Sequence, residues 1–420
     1  MKSSLWAVPF IAIPLTMAVT RLLHWLDAQL GWTLLGFGVA GAQAVLQAIV
    51  TATLSFLVFT FGSLLVAIQV ASGQLTPRII ATTLLRNNIV KYTVGLFVFT
   101  LLLALSVEGR IDTTVHQLPL FVVAFLAVLC VAAFLYLIDY ASRLLRPVTI
   151  LSHVGRDGLR VIESVYPDLG IDLNLSRSEC DRQGSETPNR IIQHQGASGI
   201  VLAVDLEALV TEAERSNGLI EFAPQVGDFV AQEEALFNLY GGAQAVDDNS
   251  LRSAVSFGSE RTMEQDPTFA FRIVVDIALK ALSPAINDPT TAVLAIDQLH
   301  RMLRLVGKRN LRTDEITDAT GRLRLIFRTP NWEDYVNLAF SEIRSYGSNN
   351  LQIVRRVRAM IENLMQTLPE YRHAALKKEL NLLNLEVKRI YKYPEELELA
   401  YVADTQGLGG RSRKSPREPH

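Results

Sequence analysis

The sequence of 420 residues has few of the side chains that build covalent cross-links or metal sites. It contains two cysteines and seven histidines, and no group of them has the spacing of metal ligands. Cys130 lies in an apolar run and Cys180 in a polar one, so we expect no disulfide between them. This usage fits a reducing compartment for the polar part of the chain and predicts a protein without a metal site.

The common catalytic and nucleotide-binding motifs are also missing. The sequence has no P-loop, no GxGxxG, no GxSxG and no HExxH. The formal net charge is only −2, so the composition gives no argument for nucleic-acid binding. We therefore expect a protein that is not an enzyme, has no cofactor and does not bind nucleic acid.

Apolar residues are abundant and unevenly placed. They make up 49% of the chain against 20% charged residues, and four long apolar runs precede residue 142. These runs predict four spans of a lipid bilayer, at about residues 5–23, 42–70, 92–107 and 118–137. The first run is also compatible with a signal peptide. Its basic segment is a single lysine and no clear small-x-small cleavage site follows, so we predict an uncleaved anchor.

The basic residues of the connecting loops set the expected orientation. They cluster after the second and fourth runs, whereas residues 24–41 contain none and residues 108–117 contain only Arg110. The clustered residues are Arg78, Arg86, Lys91, Arg143 and Arg146. Because basic loops stay on the cytoplasmic side, both termini are predicted to be cytoplasmic.

The second span carries a ridge of polar residues that repeats every four positions. The ridge consists of Gln43, Gln47, Thr51 and Ser55. Polar groups in hydrocarbon are costly unless they have partners, so we expect the ridge to face protein or water. One interpretation is the lining of a permeation path in a homo-oligomer; the other is a packing seam between helices. The expected second and third spans contain no charged residue, which argues against a proton-relay pump.

The polar part of the chain is organised around residues 280–293, which we interpret as a joint between two helices. Apolar residues have helical spacing on both sides of Ser283-Pro284, where the first helix is predicted to end. Asp288 can cap the second helix with Pro289 in its first turn, and Asp266-Pro267 can open the first helix in the same way.

The joint has two interpretations. Asn287 and Asp288 either coordinate a ligand or ion or only cap and turn the chain. Four further residues are candidates for an acidic site with them if the fold brings them together: Glu264, Asp266, Arg272 and Asp276. On the first helix, Arg272 and Asp276 are four residues apart and can form an ion pair.

The sequence predicts an α-helical multi-pass membrane protein of four spans with a cytosolic α+β part, in which a small β-rich module precedes a helical bundle. The expected parts are a transmembrane domain at 1–147, a linker helix and polar loop at 148–198, the β-rich module at 199–258, the helical domain at 259–404 and a basic disordered tail at 405–420. The module is acidic and residues 301–420 are basic, so the two either dock or are solvated separately. Within the module, short strands are expected at 200–204, 218–222, 229–230 and 235–240, and Asp205 is expected to cap a short helix at 206–215. The module also looks like half of a lipoyl- or biotinyl-type barrel, but no lysine lies between Lys91 and Lys280 to carry a cofactor.

Residues 264–292 resemble the hallmark of a bacterial membrane-protein family known as domain of unknown function 2254. Further matching segments are residues 74–78, 227–230, 343–347 and 404–409. The resemblance implies a multi-pass protein of the bacterial inner membrane with a soluble C-terminal half, and it implies no known activity. Two hypotheses follow. The first is a homo-oligomeric channel or permeation protein with a cytosolic regulatory domain, and the second is a membrane-anchored sensor or scaffold that binds a cytosolic ligand or partner.

Overall fold

A computed structural model describes residues 7–30, 36–74, 88–111, 115–144, 146–170, 187–311 and 314–410. The chain divides into two compact units, Met1–Ile150 and Leu151–His420, which are described separately below. Several sequence features lie outside the described residues, namely Cys180, Arg78, Arg86, most of the 74–78 segment and the tail after residue 410.

Four helices form the described part of the N-terminal unit, and all four are long and apolar enough to cross a membrane. They are α1 (Ala7–Leu30), α2 (Val39–Gln74), α3 (Asn88–Glu108) and α4 (Gln117–Leu144). The four predicted spans are therefore confirmed as apolar helices. Each helix continues beyond at least one end of its apolar run. At 36 residues, α2 is roughly 54 Å long and exceeds a hydrocarbon core of about 30 Å.

Helix α3 is the central helix of this unit. Half of its apolar segment is buried, against 17–22% for the other three helices. Residues such as Phe97, Leu103 and Ala104 are fully enclosed. The helix also begins and ends further out than predicted, so Lys91 and Glu108 lie at its two ends rather than in loops.

Polar groups inside the N-terminal unit are mostly satisfied within it. The hydroxyls of Thr16, Thr20 and Thr53 donate to backbone carbonyls four residues earlier, at 2.7–2.8 Å. Near the end of α1, the Asp27 carboxylate accepts the backbone N–H of Leu118 at 2.9 Å and contacts the His116 ring at 2.9 Å. This residue therefore fixes the start of α4 against the end of α1.

The C-terminal unit combines two small sheets with a layer of helices. Its strands are β1 (Arg190–Gln193), β2 (Gly199–Val204), β3 (Gly218–Phe222), β4 (Phe229–Val230), β5 (Ala235–Gly241), β6 (Val255–Gly258), β7 (Glu315–Thr317) and β8 (Leu323–Phe327). Its helices are α5 (Pro147–Val165, which begins at the unit boundary), α6 (Leu206–Arg215), α7 (Asp248–Ser253), α8 (Pro267–Leu282), α9 (Pro289–Val306), α10 (Trp332–Gly347), α11 (Leu351–Thr367), α12 (His373–Ile390) and α13 (Pro394–Ala400).

Five strands form the larger sheet in the order β1-β5-β3-β8-β7, and β4-β2-β6 form the smaller one. The segments predicted from residue 199 to 240 are confirmed, including the cap of α6, where Asp205 accepts the backbone N–H of Ala208 at 3.0 Å. Apolar side chains from both sheets, among them Val201, Ile220 and Phe237, share one core.

The larger sheet extends beyond the expected β-rich module at 199–258. Strand β1 lies in the expected polar loop, and β7 and β8 lie within the expected helical domain. The parallel pairing of β3 with β8, which places Ile220 opposite Leu325, joins segments about one hundred residues apart. Strands of three to five residues have too little periodicity to be recognised without that partner, so the sequence interpretation missed them. The acidic module and the basic region therefore meet through a shared sheet.

Helix α8 is enclosed by other helices of this unit. Nine of its apolar residues are buried, from Phe269 to Ala281, and they cover most of its circumference, while Arg272 and Asp276 lie on the remaining face. Helix α5 approaches α8 and α9 closely at Gly158: a Cβ there would lie 2.7 Å from Met302 Sδ and 2.9 Å from Ala270 Cβ. The helix that follows the last apolar segment is thus held against the α8–α9 hairpin through a position with no room for a side chain.

We predict that Gly158→Ala lowers stability. In an exposed helix this change is stabilising, but here the added methyl overpacks the contact, at a cost of about 1–3 kcal/mol. The measurement is the unfolding temperature of the full-length protein in detergent. Gly62→Ala is the matched control, because it lies in α2 with nothing within 4 Å of the added Cβ. Equal unfolding temperatures for the two variants would contradict the close approach.

Candidate functional site

The joint between α8 and α9 is a tight turn held by backbone hydrogen bonds. Helix α8 ends at Leu282, and the N–H groups of Ile286 and Asn287 donate to the Ser283 carbonyl at 3.0 and 2.8 Å. Asn287 has a left-handed φ of +49°, which asparagine tolerates better than most residues. The Asp288 N–H then returns to the Ala281 carbonyl at 2.8 Å.

Asp288 caps α9 as the sequence predicts. Its Oδ1 accepts the backbone N–H of Thr291 at 3.1 Å, and its Oδ2 accepts the Thr291 hydroxyl at 2.5 Å. Pro289 occupies the first turn, where the missing N–H costs nothing. Both carboxylate oxygens are therefore used locally by the start of α9.

Asp266 uses the same device at the start of α8, with one addition. Its Oδ1 accepts the backbone N–H of Phe269 at 3.1 Å and the hydroxyl of Thr268, while its Oδ2 accepts Arg261 Nε at 2.5 Å. Only 3% of the Asp266 surface is exposed. This carboxylate therefore serves as a cap and as the buried partner of a guanidinium.

Arg272 and Asp276 form the predicted ion pair on α8, and Arg272 also reaches another helix. Its guanidinium donates to Asp276 Oδ1 at 2.7 Å and to both oxygens of Glu342 on α10. These hydrogen bonds hold the pKa of Glu342 below its usual value. The pair thus connects two packed helices rather than forming an open acidic site.

The structure does not bring the candidate acidic residues together. Asp266 and Asp288 cap the beginnings of α8 and α9, which are separated by the length of α8, about 24 Å for 16 residues. Arg272 and Asp276 lie between them on the helix, and Glu264 is exposed. Among the described residues, no group of three or more histidines, cysteines, aspartates or glutamates is placed to hold a metal ion.

A C-terminal segment at residues 401–410, which we term the clasp, packs beside the start of α9. The buried Asp404 carboxylate accepts the backbone N–H groups of Gly407 at 2.9 Å and Gly409 at 2.6 Å. Gly407 has φ +73°, and a Cβ there would lie 2.8 Å from Cγ1 of Val293, one turn into α9. The hallmark joint and the 404–409 segment, far apart in sequence, are therefore neighbours.

Two arginines of α11 tie the clasp down. The fully buried Arg355 donates to the carbonyls of Val402, Gly409 and Gly410 at 2.9–3.0 Å. Arg356 donates to Asp297 of α9 at 2.7 Å and to the Thr405 carbonyl at 2.7 Å. Hydrogen bonds from a charged donor are stronger than neutral ones, so the clasp is a built part of the unit rather than a loose end.

The polar ridge of α2 faces away from its own helical unit. Gln47, Thr51 and Ser55 are exposed and Gln43 is half-buried, whereas the buried face of α2 contains residues such as Leu46. Ser55 satisfies its hydroxyl on the Thr51 carbonyl at 2.8 Å. In the part of the chain that the structure describes, neither glutamine amide has a hydrogen-bond partner.

A cavity of about 610 Å³ in the C-terminal unit opens beside Asp266. It is lined by the end of α5, the connection from β2 to α6, and the residues that follow β8. Sequence reasoning missed its polar residues, including Tyr166 and Arg328, because they come from remote segments. The sequence feature that could have pointed to this cavity was Asp205, which caps α6 directly after strand β2.

We predict different outcomes for the two helix caps. Asp288→Ala is expected to cost about 1 kcal/mol, while Asp288→Asn and Asp288→Ser are nearly neutral because both residues cap well. Asp266→Asn retains the cap but leaves Arg261 without its carboxylate, so we expect a larger loss, about 1–3 kcal/mol. Unfolding temperatures in detergent measure both. An Asp288→Asn variant that folds normally but loses a cellular phenotype would show that the carboxylate itself is needed.

Comparison with known proteins supports the resemblance of this chain to the family. The family described as predicted membrane protein (DUF2254) matches residues 2–363. Uncharacterized proteins of Mycobacterium bovis and Mycobacterium tuberculosis are each 25% identical over 429 aligned positions, covering 96% of this chain and 79% of the relative. No solved structure matches the chain. The protein therefore belongs to the family of predicted membrane proteins known as domain of unknown function 2254.

Proposed function

We propose that this protein is a homo-oligomeric permeation protein of the bacterial inner membrane, with its C-terminal unit in the cytosol as a regulatory domain and without enzymatic activity. The observation that carries the proposal is the outward-facing ridge of α2. In a single copy, Gln47, Thr51 and Ser55 face the surroundings of the helical unit. Amide groups that face hydrocarbon without partners are costly, and identical copies around a shared axis remove that cost.

The residues beside the ridge support close contact between copies. Ala44, Ala48 and Ala52 are exposed on the adjoining side of α2. Small side chains allow membrane helices to approach closely, and glutamine side chains can hydrogen-bond across such an interface. A ring of copies places the ridge either at the contact or toward a central water-filled path.

The C-terminal unit supports a regulatory role through its connection to the last apolar helix. Helix α5 follows α4 after two residues and packs on α8 and α9 at Gly158. A rearrangement of the α8–α9 hairpin would therefore act directly on α5. This connection is one physical route by which a cytosolic event can reach the membrane helices.

The alternative function is a membrane-anchored sensor or scaffold without transport. The cavity beside Asp266 favours it, because a small-molecule site in the C-terminal unit needs no pore. The two functions differ in whether water reaches the ridge of α2.

Cysteine labelling of the ridge distinguishes the two functions. In a background without Cys130 and Cys180, cysteines at Gln47, Thr51 or Ser55 are expected to react with a membrane-impermeant thiol reagent and to form cross-linked dimers on oxidation. Phe56→Cys is the matched control, since Phe56 lies on the same helix at least 100° around its axis from each of these three positions.

Each result of the labelling experiment has a defined meaning. Cross-linking with no labelling indicates an oligomer whose ridge is a dry packing seam, which would overturn the permeation path. The absence of both, in a protein that unfolds at the normal temperature, would overturn the oligomer as well.

The orientation is a separate prediction. Reporter fusions placed after Arg146 are expected to report the cytosol, and fusions within residues 108–117 the opposite side, because basic residues concentrate near Lys91, Arg143 and Arg146. Paired reporters that are active on opposite sides of the membrane give the measurement. A cytosolic signal from residues 108–117 would reverse the topology.

A further inference from the structure

The cavity beside Asp266 has an apolar floor. Phe222 on β3 and Phe327 on β8 are directly paired across the parallel strands, so their side chains share one face of the sheet. Val226 and Pro267 add to this surface. A volume of about 610 Å³ lies in the usual range for small-molecule sites, so the floor can accept an apolar or aromatic group.

The rim of the cavity carries both signs of charge. Arg328 follows directly after β8 and is exposed, with no ion pair or hydrogen bond to any residue that the structure describes. Asp205 and Glu207 at the start of α6 supply carboxylates; one Asp205 oxygen caps the helix, and Glu207 is in no ion pair within the described segments. Asp266 also lines the cavity, but its carboxylate already accepts hydrogen bonds from Arg261 and Thr268.

The buried Tyr166 and the exposed Gln265 are further polar residues of the cavity lining. Tyr166 and Tyr335 share a hydrogen bond between their hydroxyls at 3.1 Å, and both rings are fully buried. Only one hydroxyl can donate to the other, and burial raises the pKa of Tyr166 to about 12, which keeps it protonated. Gln265 accepts the Val204 N–H at 3.0 Å through its oxygen, and its amide hydrogens have no partner in the described structure.

We propose that this cavity binds a zwitterionic small molecule with an apolar side group, of the α-amino-acid class. Arg328 contacts the carboxylate, Asp205 and Glu207 contact the ammonium group, and Phe222 and Phe327 pack against the side group. The lining has more carboxylates than cations, so an anion without an ammonium group is repelled. A cation without a carboxylate leaves Arg328 uncompensated when the cavity loses water.

Binding to purified full-length protein in detergent tests the proposal by calorimetry. The probes are L-phenylalanine and L-leucine, with phenethylamine and 3-phenylpropionate as half-ligands and glycine as the probe without an apolar group. We expect saturable binding of the two apolar amino acids, at least about tenfold tighter than either half-ligand or glycine.

Variants of the rim assign the two charges. Arg328→Gln is expected to weaken the binding of L-phenylalanine and 3-phenylpropionate by about tenfold or more and to leave the binding of phenethylamine unchanged. The double variant Asp205→Asn with Glu207→Gln is expected to weaken the binding of L-phenylalanine and phenethylamine instead. Asparagine at position 205 preserves the cap of α6. Arg215→Gln is the matched control, since Arg215 is an exposed arginine of the same unit outside the cavity.

Three results would contradict the proposal. No saturable binding by any probe would overturn the proposal, and so would binding that survives both the Arg328 and the carboxylate variants. If 3-phenylpropionate binds as tightly as L-phenylalanine and ignores the carboxylate variant, the cavity is an anion site and the zwitterion is wrong. Because binding is measured without transport, these outcomes are independent of whether the ridge of α2 conducts.

Discussion

The enclosure of α8 is the constraint on which the C-terminal unit depends. A helix whose apolar side chains cover most of its circumference is stable only when other elements bury them, and α5, α9 and α10 pack against α8. The Asp-Pro caps set where α8 and α9 begin, so that the two helices return against each other in a fixed register. Gly158 allows α5 to close one side, and Arg272 pairs with Glu342 on another. The hallmark residues of the family are thus first of all the residues that make this hairpin.

The C-terminal clasp is also held by contacts between segments that are distant in sequence. A fully buried guanidinium such as that of Arg355 is costly unless its donors are satisfied, and the carbonyls of residues 402, 409 and 410 supply the acceptors. The segment at 404–409 therefore keeps its turns because Asp404 and the α11 arginines hold it beside α9. This accounts physically for the adjacency of the α8–α9 joint and the 404–409 segment, which are more than one hundred residues apart in sequence.

The N-terminal unit has the opposite problem, because its most polar helix face points outward. Its interior is well packed around α3, and threonine hydroxyls there return to the backbone. The amides of Gln43 and Gln47 on α2 have no such internal partner in the described structure. A solitary helical unit in lipid would leave that face poorly matched to its surroundings, and this mismatch is the physical basis of the proposed assembly around α2.

The sequence by itself determined the local features of this protein. Four apolar runs, the caps at Asp205, Asp266 and Asp288, and the end of α8 at Ser283 all follow from residues within about four positions of each other. The resemblance of residues 264–292 to the family was likewise recognisable from the sequence alone. The Arg272–Asp276 pair was also available from sequence, because both residues share one helix face.

Only the tertiary structure decided the larger sheet, the clasp and the cavity. Strand β8 exists because β3 lies beside it, and that pairing spans about one hundred residues, beyond the reach of periodicity or propensity. The same pairing places Phe327 and Arg328 near Phe222 and Asp205 in one cavity. Helix α8 separates Asp266 from Asp288 by its own length, so two residues that look alike in sequence cap two different helices. Local patterns fix where elements begin and end, whereas convergence of side chains depends on contacts between distant segments.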